Sequence, residues 1–354
     1  MRLAREAAAR TALVVVSILL SLAVLELSCR VAAGSFWLKH WPNLVLYQLQ
    51  ASHPEKQVDY IYDKTLGFLP RPGFTSPRIS FDADGYRLTP GLPPDAPPAP
   101  PVLVTGASFA ESDEVDDADT WPALFQARIG RHVINAGVVA FGLDQVVMRT
   151  EQVSETQKPA AIVVIVTADG LWRSEVKQLW GAPKPYFTLN DKGALALHNV
   201  PVPEMHDPQR TMSSWQRIFG WSKLVATILE RIDGHDAWIS GNVRATPSGT
   251  GERLACPLMQ HLAALGVPTL VVALYEPLVW RNPAEFQAEH RRLSQLMLDC
   301  ADAAGLATLD LFAQVDRAVQ ARGVNALFLT DHHSAEGYRL VADAIAAEFE
   351  RLKY

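Results

Sequence analysis

The chain has few cysteines, no basic run and no internal repeat, and these absences exclude several classes of protein. Its 354 residues include only three cysteines, Cys29, Cys256 and Cys300, too few and too scattered for a metal cluster or a disulfide framework. Cys29 lies in an apolar segment, so Cys256 and Cys300 are the remaining pair, and we expect them not to be joined. The net charge of −6, without a basic stretch, excludes the charge pattern of a nucleic-acid binder.

The N-terminus carries the clearest local signal. Three arginines within the first ten residues precede an apolar run from Thr11 to Leu25, an order that keeps the N-terminus in the cytoplasm and exports the rest. The run is shorter than the roughly 20 residues that cross a bilayer, and it reaches that length only with Glu26 and Arg30 near the interface. Val31-Ala32-Ala33 also resembles a signal-peptidase site. For residues 1–34 a signal anchor and a cleaved signal peptide therefore both remain open.

Residues 35–100 predict an extension ahead of the main domain. The stretch 35–58 is aromatic-rich and irregular, and turn residues between short apolar runs over 60–88 predict a few short strands or hairpins. Six prolines in 91–101 are typical of an extended connector.

After residue 101, apolar runs of strand length alternate with helical stretches. The predicted strands are Val102–Thr105, His132–Asn135, Ala161–Thr167, Pro268–Leu274 and Ala307–Leu311. The predicted helices are Thr120–Ile129, Leu143–Thr156, Leu254–Leu265, Pro283–Ala304 and Ala335–Leu352. Continuous apolar strands with helical crossovers indicate a parallel sheet covered on both faces. We therefore predict, over 101–354, a flavodoxin-like three-layer α/β/α domain with about five strands.

Residues 175–250 do not fit this alternation. They hold scattered prolines and four tryptophans, Trp180, Trp215, Trp221 and Trp238. We interpret them as an insertion or lid.

Ser108 is the candidate nucleophile. It follows the first predicted strand, and ligands of open α/β sheets bind beyond the carboxyl ends of the strands. Gly106 permits a tight turn that exposes the serine hydroxyl, and an acid-rich loop follows it. Such a serine is inert until a base removes its proton.

The candidate base follows the last predicted strand, in the segment Asp331-His332-His333. A catalytic imidazole needs a carboxylate that fixes its tautomer and stabilises the imidazolium. Asp331 and His333, two residues apart, turn to one side of a short loop, which favours them as the pair. His332 remains the alternative base.

Three blocks in this order resemble the SGNH, or GDSL, hydrolase superfamily. They are Gly106-Ala107-Ser108-Phe109, the segment Asn135-Ala136-Gly137 with Gly142 after it, and Asp331 through Gly337. The resemblance covers roughly residues 101–350. The preceding Tyr62-Asp63, Leu66-Gly67 and Pro72-Gly73 resemble bacterial members that carry an N-terminal membrane segment.

The resemblance implies roles for several residues. Ser108 would be the nucleophile, with its backbone N–H as one oxyanion donor, and Ala140 stands where the family has its oxyanion glycine. Ala168 replaces the asparagine whose side chain helps to hold the oxyanion, and losing one such donor costs roughly 10²–10³ in rate. Asp169 and Arg173 are nearby polar candidates for binding.

These residues predict an exported serine esterase that acts on acyl, most simply acetyl, esters of a cell-envelope or secreted polysaccharide. The alternative that the resemblance implies is a polysaccharide O-acyltransferase, in which a sugar hydroxyl replaces water. A third interpretation is a glycan-binding protein on the same scaffold, with tryptophans of the insertion stacking on sugars. We expect an acyl-ester or glycan substrate, a membrane contact through the N-terminal helix, no nucleic acid, and no metal or cofactor. The catalytic domain would lie outside the cytoplasm, in the periplasm of a Gram-negative cell.

Overall fold

The structure is a computed structural model that describes residues 2–33, 59–96, 98–179, 182–204, 212–232, 234, 238 and 249–354. The irregular stretch predicted over 35–58 and Trp180 lie outside these residues.

Strands and helices alternate over most of the described chain. The strands are β1 (Tyr60–Asp63), β2 (Gly67–Pro70), β3 (Val102–Thr105), β4 (Val133–Asn135), β5 (Ala161–Val166), β6 (Gln178–Leu179), β7 (Ala182–Pro183), β8 (Tyr186–Leu189), β9 (Leu195–His198), β10 (Thr269–Ala273) and β11 (Ala307–Asp310). The helices are α1 (Arg2–Ala32), α2 (Ser108–Glu111), α3 (Trp121–Ile129), α4 (Leu143–Gln157), α5 (Ala168–Arg173), α6 (Ser214–Phe219), α7 (Lys223–Arg231), α8 (Thr250–Ala263), α9 (Leu278–Arg281), α10 (Ala284–Ala303), α11 (Phe312–Arg322), α12 (Val324–Leu327) and α13 (Ala335–Leu352).

Five parallel strands form the central sheet, in the order β11-β10-β5-β3-β4. Counted along the chain within this sheet, that is the 2-1-3-4-5 order of flavodoxin-like folds. The predicted three-layer α/β fold is therefore confirmed. The strand order reverses between β3 and β5, and a crevice opens there at the carboxyl ends.

Alternation along the strands divides the core into two layers. In β5, Ile162, Val164 and Val166 face one side of the sheet with helices α4, α8 and α10. Val163 and Ile165 face the other side, which α3, α11 and α13 cover. Neighbouring strand residues point to opposite faces of the sheet. A strand without polar residues is therefore expected only where helices cover both faces.

Local signals set the helix ends that border the site. Helix α3 begins after Thr120, whose hydroxyl accepts the Ala123 N–H, with Pro122 in the first turn. Proline at that position forfeits no hydrogen bond. The helix ends at Gly130, which has a φ of +61°, the left-handed conformation that glycine adopts at low cost.

The extension packs on the central domain. Strands β1 and β2 form the antiparallel hairpin that the turn signals predict. The buried side chains of Tyr60, of Phe68 and of Leu66 in the turn between the strands join the core layer on the α4 side of the sheet. Within the segment predicted as an insertion, β6–β7 and β8–β9 form two further small antiparallel pairs. The buried Lys184 ammonium there pairs with Asp144 of α4.

Cys256 and Cys300 are joined by a disulfide, contrary to our expectation. Cys256 lies on α8 and Cys300 on α10, and the packing of these helices brings the two Cα atoms to 4.6 Å. The residues are separated by 44 positions along the chain, so their proximity depends on tertiary packing and leaves no local signal in the sequence.

Helix α1 carries one long apolar surface. Residues 5–32 include an 18-residue stretch with a mean hydropathy of 2.5, and that stretch is not buried against the rest of the described chain. Its length and composition suffice to cross a membrane.

Candidate active site

A tight turn after β3 presents Ser108. Gly106 has a φ of +153°, and a Cβ built on it would lie 2.8 Å from the Ala110 Cβ and 2.9 Å from the Ile165 Cβ. Only glycine fits this position, which lets α2 begin at Ser108 directly beyond the strand. The serine therefore lies at the carboxyl edge of the sheet, beside the reversal between β3 and β5.

His332, and not His333, reaches the serine. Its Nε2 lies 2.7 Å from Ser108 Oγ. The Leu329 N–H donates to the His332 carbonyl in a tight turn, and the Ser334 hydroxyl caps α13 by accepting the Gly337 N–H. These bonds hold the loop on both sides of the imidazole.

The preference for His333 therefore needs correction. The His333 ring is fully buried and stacks on Phe328 at a centroid distance of 4.3 Å. Burial, together with the charge of His332, lowers the pKa of His333 to about 3. A neutral ring enclosed among aromatic side chains packs the core and has no access to Ser108. The Asp-x-His spacing favoured the wrong histidine because the turn at Leu329 directs His332 toward the cleft.

The carboxylates that face the imidazole come from the loop after α2. Asp113 Oδ1 lies 3.2 Å from His332 Nδ1, and Glu114 Oε2 lies 3.7 Å from it. Glu114 also accepts the backbone N–H of His332 at 3.0 Å. The nearer oxygen belongs to Asp113, but neither it nor His332 Nδ1 has a hydrogen-bond partner among the described residues, so the two atoms are in ion-pair contact without an aligned hydrogen bond. Both acids face the same ring nitrogen, and Asp113 is the nearer of the two.

Asp331 does not hold this position, and its predicted pairing with a histidine is corrected as well. Its side chain is exposed at the rim of the cleft. Its backbone N–H donates toward Glu114 at 3.3 Å. The loop therefore turns the main chain of residue 331, and not its carboxylate, toward the acids.

The neighbouring acids raise the pKa of the His332 imidazole. Burial lowers the pKa of His332, but the neighbouring carboxylates of Glu114 and Asp113 outweigh it and leave the pKa above its ordinary value of 6.5. Burial likewise raises the pKa of Asp113, against the charge of His332. The imidazolium is thus stabilised at the nitrogen that faces away from the serine.

A buried arginine from the extension holds the acid-rich loop. The Arg87 side chain donates to the carbonyl oxygens of Glu111, Ser112 and Val115 at 3.0, 2.6 and 2.7 Å. It also pairs with Asp117 at 3.0 Å. Because a buried guanidinium must satisfy five donors, this network fixes the backbone on both sides of Asp113 and Glu114.

Glu111 connects the extension to the second block. The Tyr60 hydroxyl donates to its Oε1 at 2.6 Å and the Val139 N–H to its Oε2 at 2.8 Å. Burial and the nearby charge of Asp113 raise the pKa of Glu111 to about 7. This contact holds the backbone next to Ala140.

The second block packs against α2. The Asn135 side chain donates to the Ala110 carbonyl at 3.0 Å and accepts the Gly137 N–H at 3.1 Å. A Cβ on Gly137 would lie 2.5 Å from the Glu111 nitrogen, so this segment packs closely on α2. Ala140 follows in the left-handed region at a φ of +66° and lines the cleft.

The segment that follows β5 contributes Thr167 and Asp169 to the cleft wall. Ala168 is buried at the start of α5 and has no polar side-chain atom to offer. Asp169 pairs with Arg173 one turn later. The asparagine of the resembled family therefore has no side-chain counterpart at position 168.

Most of the site residues that the sequence predicts line one cleft of about 350 Å³. It is lined by Ala107, Ser108, Phe109, Asp113, Val139, Ala140, Thr167, Asp169, Arg173, Glu276, Asp331 and His332. Sequence reasoning missed Asp113, Glu114, Glu111 and Arg87, although the acid-rich loop after Ser108 was visible. Nothing in the sequence indicated which of its acids faces the histidine.

Comparisons with known proteins gave structural neighbours only. No protein-family description matches the chain, and no curated protein matches it. An acetylxylan esterase from Geobacillus stearothermophilus is similar over 72% of this chain and 95% of its own, with 12% identity and a TM-score of 0.42. A lipolytic protein of the G-D-S-L family from Desulfitobacterium hafniense covers 70% and 99%, with 14% identity and a TM-score of 0.37. A psychrotrophic esterase from Pseudoalteromonas covers 72% and 98%, with 10% identity and a TM-score of 0.41.

Proposed function

We propose that this chain is a membrane-anchored serine esterase of SGNH type, with Ser108 as nucleophile, His332 as base and Asp113 as the carboxylate that orients the base. The observation that carries the proposal is the 2.7 Å approach of His332 Nε2 to Ser108 Oγ, with a carboxylate oxygen 3.2 Å from the other ring nitrogen. A serine, a base and an acid in this relation are the arrangement for acyl transfer.

The reaction follows from these contacts. His332 Nε2 removes the Ser108 proton as Oγ attacks the ester carbonyl carbon, and the carbonyl oxygen takes up the negative charge. The leaving alcohol departs with the proton from His332, and the acyl group stays on Ser108. Water then attacks the acyl carbon, gives its proton to His332 and releases the acid, while Ser108 regains its hydrogen.

The oxyanion would be held by backbone donors. The N–H of Ser108 at the start of α2 and the N–H of Ala140 are the proposed pair, since both residues line the cleft. With Ala168 in place of the family's asparagine, a third donor is lost, which lowers the rate by roughly 10²–10³. We therefore expect a slow esterase.

The anchor and the compartment are part of the same proposal. Arginines precede the apolar stretch of α1, which favours a cytoplasmic N-terminus and an exported domain. The Cys256–Cys300 disulfide supports export, because disulfides persist mainly in oxidising compartments. An acyl ester of an envelope or secreted polysaccharide is the substrate class that suits this location.

The test is hydrolysis of p-nitrophenyl acetate by the purified chain and by Ser108→Ala and His332→Gln. We expect a burst of p-nitrophenol from the unsubstituted protein alone. Equal rates in all three proteins would contradict the proposal. An added oligosaccharide acceptor, followed by mass spectrometry, distinguishes hydrolysis from transfer to a sugar hydroxyl.

A further inference from the structure

Helices α6 and α7 carry large apolar side chains that are exposed to solvent. Trp215, Ile218 and Phe219 lie on one face of α6, and Trp215 and Ile218 are 66% and 63% exposed. The Trp215 and Phe219 rings stack at 5.6 Å. Gln216, beside this face, is the buried residue of α6, and Arg217 is exposed on the opposite face, so α6 is amphipathic with its apolar side outward.

Further exposed apolar side chains follow α6 in the chain. Trp221 is exposed in the turn before α7, and Ile228 and Ile232 are exposed one helical turn apart, on α7 and at its end. Large apolar side chains exposed in such number on two successive helices indicate an interaction site in a folded protein. We call the exposed side chains of Trp215, Ile218, Phe219, Trp221, Ile228 and Ile232 the apolar ridge.

The end of α1 is bonded directly to this region. The Glu26 carboxylate accepts the Ser222 hydroxyl at 2.7 Å and the N–H groups of Lys223 and Leu224 at 2.9 Å. It thereby satisfies the first free N–H groups of α7, which a helix cannot bond internally. The Arg30 guanidinium, buried and paired with Glu26, donates to the Trp221 carbonyl.

These bonds fix the height of the ridge relative to a bilayer. The apolar run of α1 ends at Leu25, and Glu26 and Arg30 follow within about 8 Å along the helix axis at 1.5 Å per residue. That distance is about the thickness of one headgroup layer. In a bilayer crossed by α1, the turn between α6 and α7 would therefore lie where the hydrocarbon gives way to headgroups.

We propose that α6 and α7 lie in the headgroup layer of the bilayer that α1 crosses, with the apolar ridge inserted toward the acyl chains. This inference rests on the proposed retention of α1 as a membrane anchor. Tryptophan and phenylalanine on the apolar face of a short amphipathic helix are the composition of interfacial helices. The ridge holds the catalytic domain against the membrane surface, so its cleft samples esters close to that surface.

The test uses the full chain in vesicles of phosphatidylethanolamine and phosphatidylglycerol. Cys29→Ser removes the free cysteine, and a single Ile218→Cys or Ile232→Cys carries an environment-sensitive fluorophore. Lipids with a nitroxide on the acyl chain and aqueous iodide serve as the two quenchers. Leu19→Cys in α1 and Gln295→Cys on the exposed side of α10 are the matched controls.

We expect the lipid quencher to act on labels at 19, 218 and 232 but not at 295, with the ridge labels about 5–10 Å into the interface. Quenching at 218 and 232 by iodide alone would overturn the inference. Blue-shifted labels that neither quencher reaches would also overturn it, since a second copy or another protein would then cover the ridge. If the label at 19 escapes the lipid quencher, both the anchor and this inference fail, whereas the esterase assay is independent of that result.

Discussion

Replacing Asp113 by asparagine tests whether Asp113, and not the Asp331 that the sequence favoured, is the carboxylate that acts on His332. In the structure Asp113 Oδ1 lies 3.2 Å from His332 Nδ1, whereas the Asp331 side chain is exposed at the rim. At an effective dielectric constant of about 20, a carboxylate and an imidazolium at that distance attract each other by about 5 kcal/mol. This energy is available only once His332 has taken the serine proton.

The loss in rate is smaller than that attraction, because Glu114 Oε2 stands 3.7 Å from the same nitrogen. We expect Asp113→Asn to lower kcat/KM by about 10²-fold and Asp113→Asn with Glu114→Gln to lower it by about 10⁴-fold. Without the carboxylates the pKa of His332 falls, so the acidic limb of the pH–rate profile moves to lower pH while the maximum decreases.

The assay is p-nitrophenyl acetate hydrolysis over a range of pH, with circular dichroism to verify that each variant is folded. Asp331→Asn is the matched control, and we expect it to retain activity within about threefold, since an exposed side chain contributes little. A folded Asp331→Asn variant as inactive as Asp113→Asn would refute the assignment, and so would full activity in the double variant.

Three further predictions concern the surroundings of the site. Burial raises the pKa of Glu111 from 4.5 to about 7, so between these two pH values the folded chain holds a proton that the unfolded chain has released. The free energy of unfolding therefore falls as the pH rises from about 4.5 to about 7. Glu111→Gln should remove up to about 3 kcal/mol of that fall, measured by urea titration at several pH values. His333→Phe should keep esterase activity, whereas His332→Gln should lose about 10²–10⁴-fold; the reverse result would restore His333 as the base. The double variant Cys256→Ser with Cys300→Ser removes a cross-link between residues 44 positions apart, and we expect it to lower the free energy of unfolding by about 4 kcal/mol. An unchanged midpoint of unfolding in urea would show that the disulfide does not stabilise the fold.

The sheet could be predicted from the sequence because its signals are local. A fully buried parallel strand is a continuous apolar run, and Val102–Thr105 has the same bounds in the prediction and in the structure. Helix α13 was equally clear, since Ser334 caps it and its apolar positions recur with helical period. The helices α11 and α12 were not predicted, because 312–327 mixes apolar with charged and amide side chains, Gly323 interrupts it, and only part of it faces the core.

The relations between distant residues were harder to predict. Ser108 and His332 are 224 positions apart, and which of two adjacent histidines faces the serine depends on a single turn at Leu329. The acids after Ser108 were visible, but their direction depends on Arg87, a residue of the extension. The spacing of residues within one segment cannot predict such contacts, because they join segments that are far apart in the sequence.

The buried Arg87 and Tyr60 determine whether the sheet domain can be separated from the extension that precedes it. Both belong to the extension, yet one holds the loop of Asp113 and the other, through Glu111, holds the backbone beside Ala140. A fragment that begins at residue 101 would retain every strand of the central sheet and lose both supports. The proposed active site therefore depends on both parts of the chain, and a graft of the sheet domain onto another anchor should carry residues 59–96 with it.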